Sequence, residues 1–403
     1  MQIYLDYSAT TPPRPEVVSA MHTAMKAQWG NPSSLHSWGN RAALALERSR
    51  QQVAELINAP SAANIIFTAG GTEANNLAIF GITNAYAQPQ HLIVSAVEHS
   101  AIAKPARALE ARGWRISWLP VDEQGLVNPD DLQAAIRPDT VLVSVIYGQS
   151  EVGTLQPIEQ LGAIARIRKI PFHSDAVQVA GRLPINVQQL PVDLLSLSSH
   201  KLYGPQGAGA LYINTHNINT HNISTPEVAS SISPILFGGG QEQGLRSGTQ
   251  GLPSIVGFGE AAKLARVEMS TETVRLIHLR DRFFSLMKDC PALVPTGHPR
   301  QRLPHHVSFR LAQNLANYGP TGKHLVRQMS LAGIGISAGS ACHSGKLSPS
   351  PVLKAMGFDD SIAKTGIRLT LGKQTTKADI DWSAMALKQV LARTLLKDEV
   401  ALL

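Results

Sequence analysis

Cysteine is scarce in this chain. Cys290 and Cys342 are the only two in 403 residues, too few for a disulfide framework and without the paired spacing of a zinc site. Long apolar runs are missing as well. None approaches the ~20 residues needed to cross a bilayer, and the opening Met-Gln-Ile-Tyr-Leu-Asp carries neither a basic leader nor a signal-type apolar core. The expectation is therefore a cytoplasmic protein with no membrane partner. Charge of one sign never accumulates either. The formal net charge is +7, yet Lys and Arg are scattered with no run of five, and no nucleic-acid module signature appears. Direct nucleic-acid binding is not expected, and the excess charge reads as solvated surface that attracts anionic ligands or partners. Neither Gly-x-Gly-x-x-Gly nor a Walker sequence occurs, so nucleotide binding is not indicated.

What remains is a globular composition, 43% hydrophobic and 16% charged, long enough for two domains. From residue 64 onward, strand-type and helix-type segments alternate. Candidate strands are 64–68, 91–96, 115–121, 141–147, 171–175, 194–198 and 208–213. Helical patterns lie between several of them, such as 158–167 and 130–136, the latter entered through Asn128 as cap and Pro129 in the first turn. This alternation predicts an α/β fold, a mostly parallel sheet with helices on both faces. A long helical stretch begins at Ile255, and the domain boundary is placed near residue 254.

The ends of these strands carry the chemistry. Leu194 to Ser198 runs into Ser199-His200-Lys201 and then a Gly-Pro turn. Ser198 and His200 can donate to an anion, and Lys201 is an amine of the kind that forms Schiff bases with carbonyl cofactors. Taken alone, Ser-Ser-His-Lys reads more readily as a surface lysine before a turn. After other strands come Glu98-His99, Asp175 with Gln178, and Gly148-Gln149-Ser150-Glu151-Val152-Gly153. Gly70-Gly71-Thr72 opens a helix, where close backbone approach, free N–H groups and the Thr72 hydroxyl suit a phosphate. An acid, an imidazole, an amide, hydroxyls and a lysine at the ends of one sheet are what a pyridine-ring cofactor needs.

Three later segments stand out. Residues 213–222 are a tandem pentapeptide, Ile-Asn-Thr-His-Asn twice over, read as a polar surface loop rather than a metal site because no acidic or cysteine ligands accompany its histidines. Gly238 to Thr249 is rich in glycine and reads as a second anion-contacting loop. Ser340-Ala341-Cys342-His343 puts a thiol among small residues, an accessible nucleophile or an incidental loop cysteine. Beyond it, Arg368 sits on a short strand pattern and offers a planar clamp for a carboxylate.

The ordered set resembles the cysteine desulfurases, of the kind serving nitrogenase maturation and iron–sulfur cluster assembly, in the class V aminotransferase group of fold type I PLP (pyridoxal phosphate) enzymes. The likeness runs from Tyr4 to about Asp381. It is carried by Leu5-Asp6 through Thr11-Pro12, Gly30 to His36, Thr72 to Asn76, Glu98-His99, Asp175 to Gln178, Ser198 to Lys201, Gly238 to Thr249 and Ser340 to Cys342. The resemblance implies a seven-stranded, mostly parallel sheet in a large domain, 15–254. A smaller α+β domain, 255–403, would pack with residues 1–14.

The resemblance also implies roles. Lys201 would carry the cofactor's aldehyde, Asp175 would face the pyridine nitrogen, and His99 would stack on the ring. Gln178 would bond the ring hydroxyl. Gly71, Thr72, Ser198 and His200 would hold the phosphate, with Thr249 reaching in from the second subunit of a homodimer. Arg368, assisted by Asn31, would clamp the α-carboxylate of L-cysteine, and Cys342 would take the sulfur as a persulfide. Sulfur acceptors would be iron–sulfur scaffold or tRNA-thiolation proteins, and no metal is implied. The family usually has asparagine where Ser150 stands, so that contact would be shorter or supplied by Gln149. A lyase acting on cysteine or selenocysteine, a true aminotransferase and a non-enzymatic sulfur-delivery scaffold are the alternatives.

Overall fold

The computed structural model describes residues 2–220, 230–339 and 348–400. Seven strands form the main sheet: β1 (Ile65–Thr68), β2 (His91–Ser95), β3 (Arg115–Leu119), β4 (Thr140–Ser144), β5 (Phe172–Asp175), β6 (Leu194–Ser198) and β7 (Gly209–Ile213). Their order is β1-β7-β6-β5-β4-β2-β3. Every neighbouring pair is parallel except those of β7, which is antiparallel to both β1 and β6. Apart from the edge strand β3, every residue of these strands is buried, because both faces of the sheet are covered, and alternate residues go to opposite sides. Ile65, Phe67, Ile93, Leu195, Leu197, Ala210 and Tyr212 join one buried cluster. Ile66, Leu92, Val94, Leu194, Leu211 and Ile213 join the other.

Helices complete the two outer layers. Helix α1 spans Pro15–Ala27, α2 Ser37–Leu56, α3 Gly71–Thr83, α4 Ser100–Glu110, α5 Pro129–Ala135 and α6 Ile158–Ile167. Apolar residues of α3 and α4 cover one face of the sheet, and those of α2, α5 and α6 the other. The cap read from the sequence at Asn128 is present, its Oδ1 accepting from the Asp130 N–H at 3.0 Å. Of the tandem repeat, Ile218 is fully buried and Asn217 Nδ2 donates to Asp193 Oδ1 at 2.7 Å. The repeat is thus anchored on the sheet at Ile213 and Ile218, the first residue of each copy, with Thr215 to Asn217 exposed at the surface between them, while His221 and Asn222 lie outside the described residues.

Helix α7, Leu252–Leu286, is long enough to serve two cores. Leu252, Ile255 and Phe258 join the first cluster, whereas Leu276, Leu279 and Phe283 join a separate one. This second core is built on four antiparallel strands, β8 (Leu293–Pro295), β9 (His306–Leu311), β10 (Ser337–Ala338) and β11 (Ile367–Thr370), ordered β8-β9-β11-β10. Helices α8 (Gly322–Leu331) and α9 (Lys377–Val400) pack on them. The chain's start belongs here too. Ile3 and Leu5 are buried in the same core, and Ile3–Tyr4 pairs with Ile334–Gly335. The next few residues cross to the large sheet, where the Thr11 N–H donates to the His200 carbonyl at 3.0 Å.

Candidate active site

The carboxyl ends of β2, β4, β5 and β6 lie side by side on one edge of the sheet. Asp175 ends β5 and is 4% exposed. Its Oδ2 accepts from Asn75 Nδ2 at 2.7 Å and its Oδ1 from the Val177 N–H at 2.9 Å. Each oxygen keeps acceptor capacity for one more donor. Asn75 rides on α3, four residues after Gly71, and its own Oδ1 is buried without a partner. Gln178, one turn beyond Asp175, donates from Nε2 to the Ser8 carbonyl at 3.0 Å, and its Oε1 is likewise buried and unpartnered. Two orphaned acceptors around one carboxylate mark a site built for a group with donors, since buried polar atoms are ordinarily satisfied.

His99 caps α4, its Nδ1 accepting from the Ala101 N–H at 3.1 Å. Burial pushes its pKa down, Asp175 opposes that shift, and Lys201 adds to it. His99 therefore feels the charge of both. Lys201 follows β6 in a single 3₁₀ turn, Ser199–Lys201. Its Nζ donates to the Ser8 and Ala9 carbonyls, each at 2.7 Å. Neighbouring His200 is pushed down to about 4 by burial, with Lys201 adding to the effect. It is neutral at physiological pH, with Nδ1 sharing a hydrogen bond with Thr10 Oγ1 at 3.1 Å.

The close approach of Gly71 and Ser198, expected to form a phosphate cradle, has a steric cause. Gly209 on β7 lies between Thr68 and Ser198 in register, and a Cβ there would stand 2.5–2.6 Å from the Gly70 backbone. Glycine lets the start of α3 lie across the end of β7. Gly71 then comes so close to Ser198 that its own Cβ would stand 3.3 Å from the serine Cβ. The first N–H groups of a helix have no partner within the helix, and here they share one edge with Ser198, while Thr72 is exposed beside them.

Arg368 on β11 is 5% exposed. One nitrogen donates to the Ser150 carbonyl at 2.9 Å, another to Asp6 Oδ1 at 2.7 Å, and its Nε is buried without a partner. Ser150 thus meets the arginine through its backbone, which any residue could supply. Gln149 does not stand in for the missing asparagine side chain. Its Nε2 donates to the Val97 carbonyl, and its Oε1 accepts from the Glu151 and Val152 N–H groups. Glu151, raised to about 7 by burial, accepts from Ser350 Oγ at 2.6 Å.

Two further expected residues have no hydrogen bond into this cluster among the described residues of one chain. Asn31 is exposed, its Oδ1 taken by the Ser33 N–H at 2.9 Å, and among the described residues it shares no hydrogen bond with Arg368. Thr249 is exposed. The loop that carries it is tied down by Glu242, in a buried pair with Arg50, and by Arg246, paired with Glu73 at 2.8 Å. Its arginine is therefore spent within the chain. Cys342 lies outside the described residues; Gly339 and Ser350, on either side of its segment, both abut Glu151.

Several participants were given no individual role from the sequence. Ser8 acts through its carbonyl, which no residue type announces. Asn75 could have been found, because the i, i+4 spacing places it on the same helix face as Gly71. Glu98 is buried behind His99, where Oε1 accepts from Ser95 Oγ and the Ile146 N–H, each at 2.6 Å. Burial raises its pKa to about 8.

A class of protein follows from this arrangement, and comparison with known proteins agrees with it. The family described as Aminotransferase class-V matches residues 3–382. The chain is 42% identical over 394 residues to the cysteine desulfurase IscS of Dictyoglomus turgidum, covering 97% of this chain and 95% of the relative. It is 40% identical to the cysteine desulfurase of Mus musculus, covering 95% and 80% respectively. Among solved structures, a NifS-like protein superposes with a TM-score of 0.86 at 31% identity, over 97% of this chain and all of the other. SspA in complex with cysteine superposes with a TM-score of 0.77 at 31% identity, over 92% and 99%. The chain belongs to the class V aminotransferase family, and within it to the cysteine desulfurase group.

Proposed function

We propose that the chain is a pyridoxal phosphate-dependent cysteine desulfurase that converts L-cysteine to L-alanine and leaves the sulfur on Cys342 as a persulfide. The observation that carries this reading is the convergence of Asp175, Gln178, His99 and Lys201 on one sheet edge, with two orphaned acceptors and a helix N-terminus beside Ser198. The donor set fits pyridoxal phosphate. Asp175 would hold the pyridine nitrogen, Gln178 the ring hydroxyl, His99 one ring face and Lys201 the aldehyde, while Gly71, Thr72, Ser198 and His200 would hold the phosphate. When bound, the cofactor would supply a sink for the electrons of the substrate α-carbon.

The chain's own residues do the rest. Arg368 orients the substrate through its α-carboxylate, exchanging the Asp6 or Ser150 contact for it, with Asn31 assisting. Lys201 moves the proton at the α-carbon, and neutral His200 donates to the phosphate. The Cys342 thiolate attacks the substrate sulfur: an S–S bond forms and the C–S bond breaks. Its electron pair stays with the carbon, which takes a proton to become the alanine methyl group. A persulfide so formed would serve iron–sulfur scaffold or tRNA-thiolation acceptors, in a reducing compartment such as the cytoplasm. Among the described residues no helix is long and apolar enough to cross a membrane.

A homodimer is part of the proposal. Exposed Thr249 would complete the partner's phosphate site, and the exposed side chains of Trp29, Leu35, Leu44 and Phe237 are apolar surface that a second copy would cover. The proposed division is into a large unit, 15–254, and a small one, 255–403 with 1–14; the presence of two cores supports it, although Ile255, Phe258 and Met269 of α7 pack in the larger one. The test is incubation with L-cysteine and a reductant, measuring alanine and sulfide. Wild type should produce both, and Cys342→Ala neither. Full activity in Cys342→Ala would assign a simple lyase instead. Purified wild type should also carry a visible absorption band that Lys201→Ala lacks.

A further inference from the structure

Ser8 sits where three otherwise separate parts of the molecule meet. It is 2% exposed. Its carbonyl accepts from Lys201 Nζ at 2.7 Å and from Gln178 Nε2 at 3.0 Å. Its N–H donates to Thr370 Oγ1 at 2.9 Å, and its hydroxyl shares a hydrogen bond with His305 Nε2 at 3.1 Å. Thr370 ends β11 and His305 immediately precedes β9, so the residue touching Lys201 is gripped by the small sheet on both sides. His305 is itself fixed. It is completely buried, its carbonyl accepts from the Leu371 N–H at 2.9 Å, and its Nδ1 has no partner. Burial, with Arg182 and other cations nearby, holds its pKa well below the ordinary value. It is a neutral imidazole, an expensive choice for a core position unless its hydrogen bond matters.

We propose that Ser8 and His305 are positioning residues that hold the Ser8 carbonyl as the seat of the Lys201 amine whenever that amine is not bonded to the cofactor, and that fix the Gln178 amide with its oxygen toward the site. Two carbonyl oxygens do not face each other, so the Gln178 nitrogen must be the atom that meets Ser8. Its oxygen is then left as an acceptor, beside the second N–H of the same amide, for the group it receives. The proposal rests on the functional reading above for the cofactor, but the seat for Lys201 is a property of the protein alone. It makes the small domain a direct participant in placing the amine, through one hydrogen bond that the large domain does not supply.

Ser8→Ala, His305→Ala and His305→Gln are compared, the last because a glutamine amide reaches the Nε2 position. In cofactor-free protein, acylation of Lys201 by an amine-reactive reagent is followed by peptide mass spectrometry, with exposed Lys26 as internal standard. Loss of one hydrogen bond should speed labelling of Lys201 about three- to tenfold in Ser8→Ala and His305→Ala, while His305→Gln stays near wild type. Loaded with pyridoxal phosphate, the first two variants should lose the visible band faster on dialysis, and the third should not. Labelling within twofold of wild type in Ser8→Ala, or equal acceleration in His305→Ala and His305→Gln, overturns the proposal. Should His305→Ala fail to fold, Ser8→Ala and His305→Gln still decide it. Wild type that takes up no pyridoxal phosphate defeats the functional reading and leaves the labelling comparison intact.

Discussion

Replacing Glu242 by alanine removes the carboxylate that fastens the glycine-rich loop to the first strand of the large sheet. Its Oε2 receives Arg50 Nη1 at 2.5 Å and the Phe67 N–H at 2.8 Å, and its Oε1 receives Arg50 Nη2 at 2.9 Å and Gln250 Nε2 at 3.0 Å. The Glu242 side chain is wholly buried and that of Arg50 is 7% exposed. After the change, Arg50 keeps the Ile65 carbonyl at 2.8 Å, the face of Phe67 and a contact with Glu47. Glu47 is mostly exposed, and such a pair is worth about 0–1 kcal/mol. The dominant effect is a buried guanidinium stripped of its counter-charge, which costs about 3–5 kcal/mol. The orphaned Phe67 N–H is part of that penalty rather than an addition to it.

The pair also separates two explanations. If the cost comes from the stranded charge, Arg50→Met with Glu242→Ala should be more stable than Glu242→Ala alone, leaving about 1–3 kcal/mol for the unpaired amide. Urea denaturation followed by circular dichroism measures this, the midpoint moving while the slope holds. A loss below about 1 kcal/mol in the single variant, or a double variant no better than the single, would refute the argument that this bridge holds the loop.

Two further outcomes follow from the site. Gly209→Ala drives a Cβ into the Gly70 backbone; overpacking of this kind costs about 1–3 kcal/mol, and displacing the start of α3 should weaken pyridoxal phosphate binding about tenfold or more, read by spectroscopic titration. Glu98 gives a pH dependence. Its carboxyl is raised by burial from 4.5 to about 8 in the folded chain, so the unfolded chain gives up the proton first as pH rises. Above about 4.5 the folded state holds one proton more, and its stability falls until pH passes about 8. Glu98→Gln keeps the acceptor for Ser95 and Ile146 without that titration, so its stability relative to wild type should rise between pH 5 and 8 in urea titrations. A constant difference would show that the glutamate is ionised throughout.

The large sheet was legible because it is covered on both sides. Such strands read as short apolar runs, and the polar residues that end them, Asp175, Ser198 and His99 after its strand, are conspicuous by contrast. Polarity can also be internal to the sheet. His173 in β5 shares hydrogen bonds with Ser144 and Ser196 on the flanking strands, at 2.9 and 3.0 Å. Burial pushes it down to about 3, so it is a neutral rung of the sheet and not a reactive group. The glycine-rich loop read as an anion contact, yet its Glu242 and Arg246 are consumed in pairs with residues almost 200 positions earlier. Asn31 and Thr249 were named by resemblance, and among the described residues of one chain neither has a hydrogen-bond partner in the site. Ser8 lay inside the Leu5 to Pro12 motif, but nothing in its residue type announced a role. Residues that do chemistry are out of place for their element and so can be seen in a sequence. Those that aim them are ordinary residues acting through backbone carbonyls and long-range contacts, and become visible only once the fold has brought the two ends of the chain together.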